Sequence, residues 1–443
     1  MKITWIDPLD LIRHELQQQT QEGHDVSSVR GRWERLQSTL SNKEELRRNA
    51  LVLLDEMSEA VARHSGAELA PFHGRAPLRA FAAPPLSKPA LSRDELLDRI
   101  LGGWLGRAAG CLLGKPVEKH SRAVIRGLLD SNNTWPLSDY ITAAGIPQAL
   151  LQKYPWNRHH GRESLKENIV CMTEDDDMNY TMLNLHVLET FGPELTTENV
   201  AECWLSMLPV LSTFTAERVA YLNLLQGRRP PESAMFRNPY REWIGAQIRA
   251  DLWGWVAAGH PALAAELAWR DARLSHLHNG IHGEMFFAAA IAAAFVYPDP
   301  QEIMAQGLQQ IPEHSRFAEA IRFTLALPHQ EKEWECAVDR LYEKFGHYHW
   351  VHAINNAALV VAALLYGACD YERSICNVVM AGWDTDSNGA TVGSILGTML
   401  GAKGLPEKWS APLNNRMRSS LKGFDNSAFE DLAKRTLAQI VAL

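Results

Sequence analysis

The sequence predicts an all-α protein, built as one large multi-helix domain that carries an N-terminal helical extension. Alanine-rich apolar segments with helical periodicity recur throughout residues 92–443, whereas alternating runs of β-branched residues are few. Ser92 followed by Glu95 has the spacing of a capping box, which begins a helix. These observations favour helices packed on helices around a single core.

Composition and charge argue against several classes of function. Hydrophobic residues make up 46% and charged residues 22% of the 443 residues, which is typical of a folded, soluble protein. A net charge of −8 without a long basic run argues against a nucleic-acid partner. The longest apolar stretches, 286–297 and 357–366, are shorter than the roughly 20 residues needed to span a membrane. The first residues contain no apolar signal-peptide core and the six cysteines are scattered, so we expect a cytoplasmic protein with reduced thiols.

The N-terminal extension, residues 1–63, is expected to contain three helices. Apolar residues at helical spacing mark the first two helices, and Ser41 with Glu44 predicts the cap of the third. Residues 64–92 contain five prolines among alanine and glycine, with little periodicity, which predicts a linker or a surface arm. The predicted main domain covers residues 93–443.

Two helices of the main domain carry glycine at every fourth residue. The first series stands at positions 102, 106, 110 and 114, and the second at positions 389, 393, 397 and 401. A spacing of four places each series on one helix face. Glycine inside a helix costs up to about 1 kcal/mol relative to alanine, so the pattern predicts close packing of another backbone. The simplest interpretation is that the two helices pack against each other.

Carboxylates lie where these two helices end and begin. The first glycine helix is followed by Pro116 and Glu118, and the second is preceded by Asp384 and Asp386. If the helices cross near these ends or pack antiparallel, Glu118 meets the two aspartates. A third acidic cluster, residues 174–177, opens another amphipathic helix.

The four consecutive acids at residues 174–177 have two explanations. Helix capping favours one or two acids, because the first turn has free N–H groups and a positive dipole end. The additional repulsion favours a divalent cation, and oxygen donors suit Mg²⁺, Mn²⁺ or Ca²⁺ better than zinc. Residues 384–389 resemble the beginning of an EF-hand loop, but Ile395 stands where that loop requires glutamate, which excludes an EF-hand.

Three stretches of the chain resemble the ADP-ribosylglycohydrolase family: RILGGWLGRAAGCLLGKPVE, TEDDDMNYTMLNLHVLE and AGWDTDSNGATVGSILGTMLGAKGLPEKW. The resemblance covers about residues 93–425 and leaves the extension outside. It implies an orthogonal all-α bundle whose cleft holds two Mg²⁺ or Mn²⁺ ions. It also implies a hydrolase that cleaves a glycosidic bond of an ADP-ribosyl group.

The resemblance implies roles for individual residues. The Thr-Asp-Asp-Thr segment of the family falls on residues 174–177, and its Asp-x-Asp-Thr segment falls on residues 384–387. Glu118 falls on a family glutamate near the scissile bond and is expected to do acid–base work, with Asp176 as a further catalytic candidate. The implied metal ligands are Glu174, Asp175, Asp176, Asp384, Asp386 and Ser387.

Departures from the family pattern bear on the substrate. Asp177 stands where the family has threonine, and it adds negative charge. Trp383 replaces a small residue and is expected to form a wall for a base or a sugar. Together with Gly114, these residues are the predicted substrate contacts near the acidic segments.

Histidines are concentrated in residues 276–284. Gly280 and Gly283 are expected to break a helix here, which argues against the aligned ligands of a zinc site. A loop that binds a ribose or a phosphate and a purely structural role both remain as interpretations. Asn279 and His282 are the substrate-side candidates of this segment.

The sequence therefore leaves three functional hypotheses. The first is a metal-dependent hydrolase of ADP-ribosyl bonds. The second keeps the metals and the ribose chemistry but changes the substrate to a smaller, nucleoside-like compound. The third is a non-catalytic member of the fold whose first 90 residues bind a protein partner.

Overall fold

The computed structural model describes residues 3–65, residue 86 and residues 91–440. Within these ranges every regular element is a helix, and β-structure is limited to three isolated bridges. The predicted all-α fold is confirmed. The predicted linker, residues 64–92, lies almost entirely outside the described residues.

The α-helices of the described ranges are numbered in chain order: α1 (Pro8–Gln21), α2 (Ser27–Thr39), α3 (Lys43–Ser65), α4 (Arg93–Gly114), α5 (Arg122–Ser131), α6 (Gln148–Lys153), α7 (Asp176–Phe191), α8 (Thr197–Met207), α9 (Thr215–Leu225), α10 (Glu232–Met235), α11 (Ala250–Val256), α12 (Pro261–Ala272), α13 (His278–Ala294), α14 (Pro300–Leu308), α15 (Arg316–Gln330), α16 (Trp334–Phe345), α17 (Ala353–Gly367), α18 (Tyr371–Met380), α19 (Thr385–Leu400), α20 (Glu407–Ser410) and α21 (Phe429–Ile440). Short 3₁₀ helices cover Lys115–Val117, Val210–Ser212, Gln247–Arg249, Ala402–Gly404 and Ala411–Leu413.

Helices α4 and α19 are the two glycine-striped helices, and they pack against each other in antiparallel orientation. A Cβ atom added to Gly106 would lie less than 3.0 Å from the carbonyl oxygen of Gly393, and Gly110 stands in the same relation to Gly389. The backbone of the facing helix is so close that no side chain would fit, so the glycines are needed for packing rather than for flexibility. The antiparallel arrangement places the last residue of α4, Gly114, beside the beginning of α19.

The beginnings of the central helices follow local capping rules. Ser92 and Glu95 form the predicted capping box of α4. Helix α3 begins at Lys43, and its cap is Asn42 rather than the predicted Ser41, because Oδ1 of Asn42 accepts a hydrogen bond from the backbone N–H of Glu44 at 2.9 Å.

Helix α13 begins at His278 and continues through Gly280 and Gly283, so the predicted break at these glycines is wrong. A Cβ atom on Gly280 would collide with the carbonyl oxygen of Arg241, which shows that this glycine permits a close approach of two segments. Most of α13 is buried, and it packs against α11, α12 and α14 in the centre of the domain.

The N-terminal extension is part of the same hydrophobic core as the main domain. Apolar residues of α1 and α3, such as Leu16 and Leu54, are buried in that core. The guanidinium of Arg241, which is fully buried, lies 2.7 Å from Glu15 and 2.6 Å from Glu22. Removing one partner of such a buried pair is strongly destabilising, so α1 is an integral element of the fold.

Among the described helices, none combines the length and the apolar character that a membrane crossing requires.

Candidate active site

An acidic cleft lies where α4 ends and where α7 and α19 begin. It encloses about 230 Å³. Aromatic side chains form one part of its wall, and six carboxylates with two lysines form the other. The charged residues among those described are Lys115, Glu118, Lys119, Asp176, Asp177, Glu217, Asp384 and Asp386.

Three carboxylates converge in this cleft. Glu118, Asp384 and Asp386 each offer an oxygen, and these three oxygens lie within 4.8 Å of one another. The antiparallel packing of α4 and α19 brings them together, as the sequence predicts. Asp384 occupies the N-cap position of α19, where its backbone N–H donates to Oδ1 of Asn356 at 3.2 Å. The backbone contact fixes the turn that carries the two aspartates.

The crowding of these carboxylates alters their acidity. Burial, together with repulsion from Asp386 and Glu118, raises the pKa of Asp384 well above its usual value. Burial and repulsion from Asp386 raise the pKa of Glu118 to about 7. Glu118 also accepts a hydrogen bond from Nδ2 of Asn157 and lies 3.4 Å from Nζ of Lys119. Glu118 is therefore positioned and can exchange a proton near neutral pH.

Lys115 places a positive charge inside the acidic cleft. Its ammonium group contacts Oδ2 of Asp175 and lies 3.2 Å from Oδ2 of Asp386. Burial disfavours the charged lysine, but the attraction of these two carboxylates outweighs burial and raises the pKa of Lys115 well above its usual value. Burial likewise opposes ionisation of Asp386, yet the ammonium group lowers the pKa of that carboxyl. Lys115 and Asp386 are therefore both charged at neutral pH.

The acids at the start of α7 have separate partners. Asp175 caps the helix, since its Oδ1 accepts a hydrogen bond from the backbone N–H of Asp177 at 2.9 Å. Asp177 accepts from the buried Arg107 at 3.0 Å and from the Ser387 hydroxyl at 3.1 Å. Asp176 lines the cleft, and burial with repulsion from its acidic neighbours raises its pKa well above the usual value. Within this run of acids, Asp175 therefore caps the helix and Asp176 lines the cleft.

Glu174 is not brought into the cleft. Its Oε1 accepts a hydrogen bond from Nδ2 of Asn179 at 2.7 Å, and its other oxygen lies 3.8 Å from His160. It lines a separate groove instead. The chain turns at the cap of α7, so the residue before the cap points away from the residues after it.

Gly114 and Trp383 shape the cleft from behind and do not line it. The carbonyl oxygen of Gly114 accepts a hydrogen bond from the Thr385 hydroxyl at 2.8 Å, which ties the end of α4 to the start of α19. The Trp383 ring is buried and stacks on Tyr342 with ring centres 4.4 Å apart. Both residues therefore support the turn that carries Asp384. Neither of them lines the cleft, where the predicted contact with substrate would be made.

Asn279 and His282 line a second cavity, which we call the histidine-rich cavity and which is distinct from the acidic cleft. Nδ2 of Asn279 donates to Oε1 of Glu242 at 2.6 Å, and its Oδ1 accepts from the backbone N–H of Phe317 at 3.0 Å. The structure therefore gives Asn279 a packing role and places neither residue beside the converging carboxylates. The described residues around this cavity are Glu22, His24, Val61, Glu242, His278, Asn279, His282, His314, Ser315 and Arg316.

The sequence pattern does not predict several residues that line the cleft. Lys115 could have been found from its position at the end of an apolar helix, because a buried ammonium group needs acidic partners. The aromatic residues carry no such signal, since tryptophan and phenylalanine are usually core residues. The residues that line the cleft without having been predicted include Thr4, Trp5, Lys115, Lys119, His159, Phe214, Glu217, Trp243 and Trp350.

The residues of the cleft fit a hard divalent cation. All three converging donors are carboxylate oxygens, which Mg²⁺ and Mn²⁺ prefer. No N–H group of the described residues donates to the buried Oδ1 of Asp386, which leaves that oxygen available as a ligand. A second group of acidic and thiol ligands, formed by Cys111, Asp175 and Asp177, also lies within 4.8 Å.

Comparison with known proteins identifies the family of this chain. A protein of Archaeoglobus fulgidus described as uncharacterized is 26% identical over 320 residues, which cover 70% of this chain and 90% of the relative. A solved structure described as an ADP-ribosylglycohydrolase-related protein complex is similar at 20% identity and a TM-score of 0.48, covering 79% of this chain and 99% of that one. The ADP-ribosylglycohydrolase family model matches residues 92–441, which include all three acidic segments. The chain therefore belongs to the ADP-ribosylglycohydrolase family, a family of hydrolases that cleave glycosidic bonds.

Proposed function

We propose that this protein is a divalent-metal-dependent hydrolase that cleaves the N- or O-glycosidic bond at the anomeric carbon of an ADP-ribosyl group. The observation that carries the proposal is the convergence of Glu118, Asp384 and Asp386 within 4.8 Å at a cleft of a family member. Magnesium or manganese is the proposed cofactor, with two ions expected. The proposed setting is the cytoplasm.

The metal-holding residues follow from the donor chemistry. Asp384, Asp386 and Glu118 would form the core of the ligand set, with Asp176 nearby in the same cleft. Bound there, a divalent cation supplies positive charge that orients ribose hydroxyls and lowers the pKa of water. Ser387 is proposed as a further ligand, because it lines the same cleft and its hydroxyl donates a hydrogen bond to Asp177.

Glu118 is the proposed acid–base residue. Cleavage of a glycosidic bond passes through an oxocarbenium-like state, in which the leaving group gains and the attacking water loses a proton. A carboxyl whose pKa is raised to about 7 can carry out either transfer near neutral pH. The hydrogen bond from Asn157 fixes the direction of that carboxyl. The acidic wall of the cleft stabilises the positive charge that develops on the sugar.

The decisive experiment measures metal binding and product release together. Metal-stripped protein is titrated with Mg²⁺ and Mn²⁺ in a calorimeter and is then assayed for release of ADP-ribose from ADP-ribosyl-arginine. We expect metal-dependent release that Asp384→Asn abolishes and that Asp431→Asn, an exposed carboxylate on α21, leaves unchanged. Metal-independent turnover, or full turnover by Asp384→Asn, would reject the proposal.

A second candidate substrate, a smaller nucleoside-like ribosyl compound, is favoured by the charges of the cleft. Both lysines that line it are already paired, since Lys115 contacts Asp175 and Asp386, and Lys119 lies close to Glu118. Before a metal ion binds, a diphosphate would therefore meet mostly carboxylates along the described wall. Assays with free nucleosides beside ADP-ribosyl-arginine separate the two candidates.

The third hypothesis, a non-catalytic member that binds a protein partner through its extension, has less support. Helix α1 is tied to the main domain by the buried pairs of Arg241 with Glu15 and Glu22, so the extension is not a separate module. The candidate ligand carboxylates are also retained. Deletion of residues 1–90 is expected to destabilise the fold rather than only remove a partner.

A further inference from the structure

One part of the cleft wall comes from a segment that lies outside the family match. Thr4 and Trp5 line the acidic cleft, although the family model begins at residue 92. The segment before α1 thus reaches across the surface of the main domain to its candidate active site. No feature of the family match accounts for an aromatic side chain at this position.

The position of Trp5 is defined by contacts with the main domain. Its ring packs edge-to-face against Tyr240 and Trp243, with ring centres 5.7 Å and 6.1 Å apart. The preceding Thr4 accepts hydrogen bonds from Arg218, at 2.8 Å through its hydroxyl and at 3.1 Å through its carbonyl. Trp5 has a φ of +69°, which is uncommon for a bulky residue and shows that surrounding contacts hold the backbone.

The remaining apolar wall is also aromatic. Phe214, Trp243 and Trp350 line the cleft together with Trp5. Trp243 is itself fixed from behind, because it stacks on His349 at 4.2 Å with nearly parallel planes. Burial lowers the pKa of His349 to about 3, so this imidazole is uncharged and serves as an aromatic support.

The cleft therefore joins an acidic part, suited to a sugar and cations, with an aromatic part suited to a planar ring. Stacking on an aromatic side chain is a general way to bind a nucleobase, because every base has a π-face. We infer that Trp5 of the N-terminal extension forms a wall of the substrate cleft and stacks on the planar base of a ribosyl compound. The ribosyl part of this inference rests on the proposed hydrolase function, whereas the base-stacking part rests on the aromatic wall alone.

The test measures ligand binding rather than turnover. Adenosine, ribose and ADP-ribose are titrated into the full-length protein by calorimetry, with and without Mg²⁺. Variants Trp5→Ala and Trp5→Phe are compared with Trp334→Ala, a control tryptophan that packs on Tyr366 away from the cleft. Melting temperatures show that each variant is folded.

We expect Trp5→Ala to weaken adenosine binding at least about tenfold, within the range measured for loss of one base-stacking residue. Trp5→Phe is expected to restore most of that affinity, because it keeps an aromatic face. Affinities for ribose and for Mg²⁺, and all affinities of Trp334→Ala, should stay within about twofold of wild type.

Two outcomes would overturn the inference. Equal adenosine affinity in wild type and Trp5→Ala would show that Trp5 does not contact the base. Absence of adenosine binding to the wild type at millimolar concentration would show that the aromatic wall does not bind a base. Neither outcome touches the proposed hydrolase function, which is judged by metal binding and product release in Asp384→Asn.

Discussion

The acidic cleft and the histidine-rich cavity are alike in size, but they differ in how far nearby positive charges and hydrogen-bond donors compensate their buried carboxylates. Each encloses about 230 Å³, and each contains buried carboxylates. In the histidine-rich cavity, Glu242 accepts hydrogen bonds from Arg316 at 2.7 and 2.8 Å, from Gln18 at 2.8 Å and from Asn279 at 2.6 Å. Burial opposes the charge of Glu242, but Arg316 and His352 outweigh it and lower its pKa well below the usual value.

The carboxylates of the acidic cleft are compensated only in part, since Asp386 is paired with Lys115 and Asp177 with Arg107. Burial and mutual repulsion raise the pKa values of Glu118 and Asp384, and Lys115 neutralises only part of the charge. A compensated carboxylate stabilises the fold, whereas uncompensated carboxylates at one point lower stability and are retained for binding or catalysis. Substitutions that neutralise a carboxylate should therefore have opposite effects on stability in the two cavities.

The largest effect is expected for Asp384→Asn. Loss of a metal ligand should reduce turnover roughly 10³-fold, or about 4 kcal/mol in activation free energy. In chelator the same variant should melt at a higher temperature than wild type, because it removes a carboxyl that burial and repulsion disfavour. Calorimetric unfolding and steady-state kinetics measure both quantities. A lower melting temperature in chelator would contradict the uncompensated state of Asp384.

The opposite outcome is expected for Glu242→Gln. It leaves Arg316 and the surrounding donors without their buried anion, so the free energy of unfolding should fall by about 4 kcal/mol. Denaturant titration measures the loss. The surface pair of Arg32 and Glu56, which are about half exposed, is the matched control, and Glu56→Gln should barely shift the midpoint. A small effect of Glu242→Gln would remove the distinction between the two cavities.

Lys115→Met tests whether the lysine and the metal ion neutralise the same carboxylates. Without the ammonium group, Asp175 and Asp386 face each other unpaired, so unfolding in chelator should become easier by about 3 kcal/mol. Saturating Mn²⁺ should then raise the melting temperature of the variant more than that of wild type, since the ion replaces the missing positive charge. An unchanged metal-induced shift would show that Lys115 and the metal occupy independent places.

Backbone packing was the part of the cleft that could be predicted from sequence. Glycine spacing of four predicts a close helix pair, and the acids at the helix ends then predict where Glu118 meets Asp384 and Asp386. The first step depends only on local helix geometry, and the second follows once the two glycine-striped helices pair. The same reasoning failed at Gly280, because a glycine that permits close packing and a glycine that breaks a helix look identical in sequence.

Side-chain direction and long-range contacts could not be predicted. Within residues 174–177 a shift of one residue decides which acid caps α7 and which faces the cleft, and that choice depends on the cap geometry of Asp175. The contact of Trp5 with Tyr240 joins residues more than 200 positions apart, and no local pattern marks it. The packing role of Asn279 could not be predicted, because its partner, Glu242, is distant in sequence.

The cleft borders a third cluster of buried charge, centred on Arg249. Its guanidinium lies 3.1 Å from Asp271, 3.2 Å from Glu217 and 3.5 Å from Glu284. One positive charge cannot compensate three carboxylates in a buried site. Accordingly, burial raises the pKa of Glu217 to about 7, and burial with repulsion from Asp271 raises the pKa of Glu284 well above its usual value.

Glu217→Gln should give the smallest effect, and one that depends on pH. Because the pKa of Glu217 rises from 4.5 to about 7 on folding, the folded protein binds more protons and loses stability as pH rises between these values. From pH 6 to pH 8 this carboxyl should contribute a loss of roughly 1–2 kcal/mol, which Glu217→Gln removes. Unfolding free energies of wild type and variant should converge below about pH 4.5, where Glu217 is protonated in both the folded and the unfolded state, and should separate as the pH rises toward 7. Parallel pH profiles would instead mean that Arg249 keeps Glu217 ionised, and the cluster would then be compensated like Glu242.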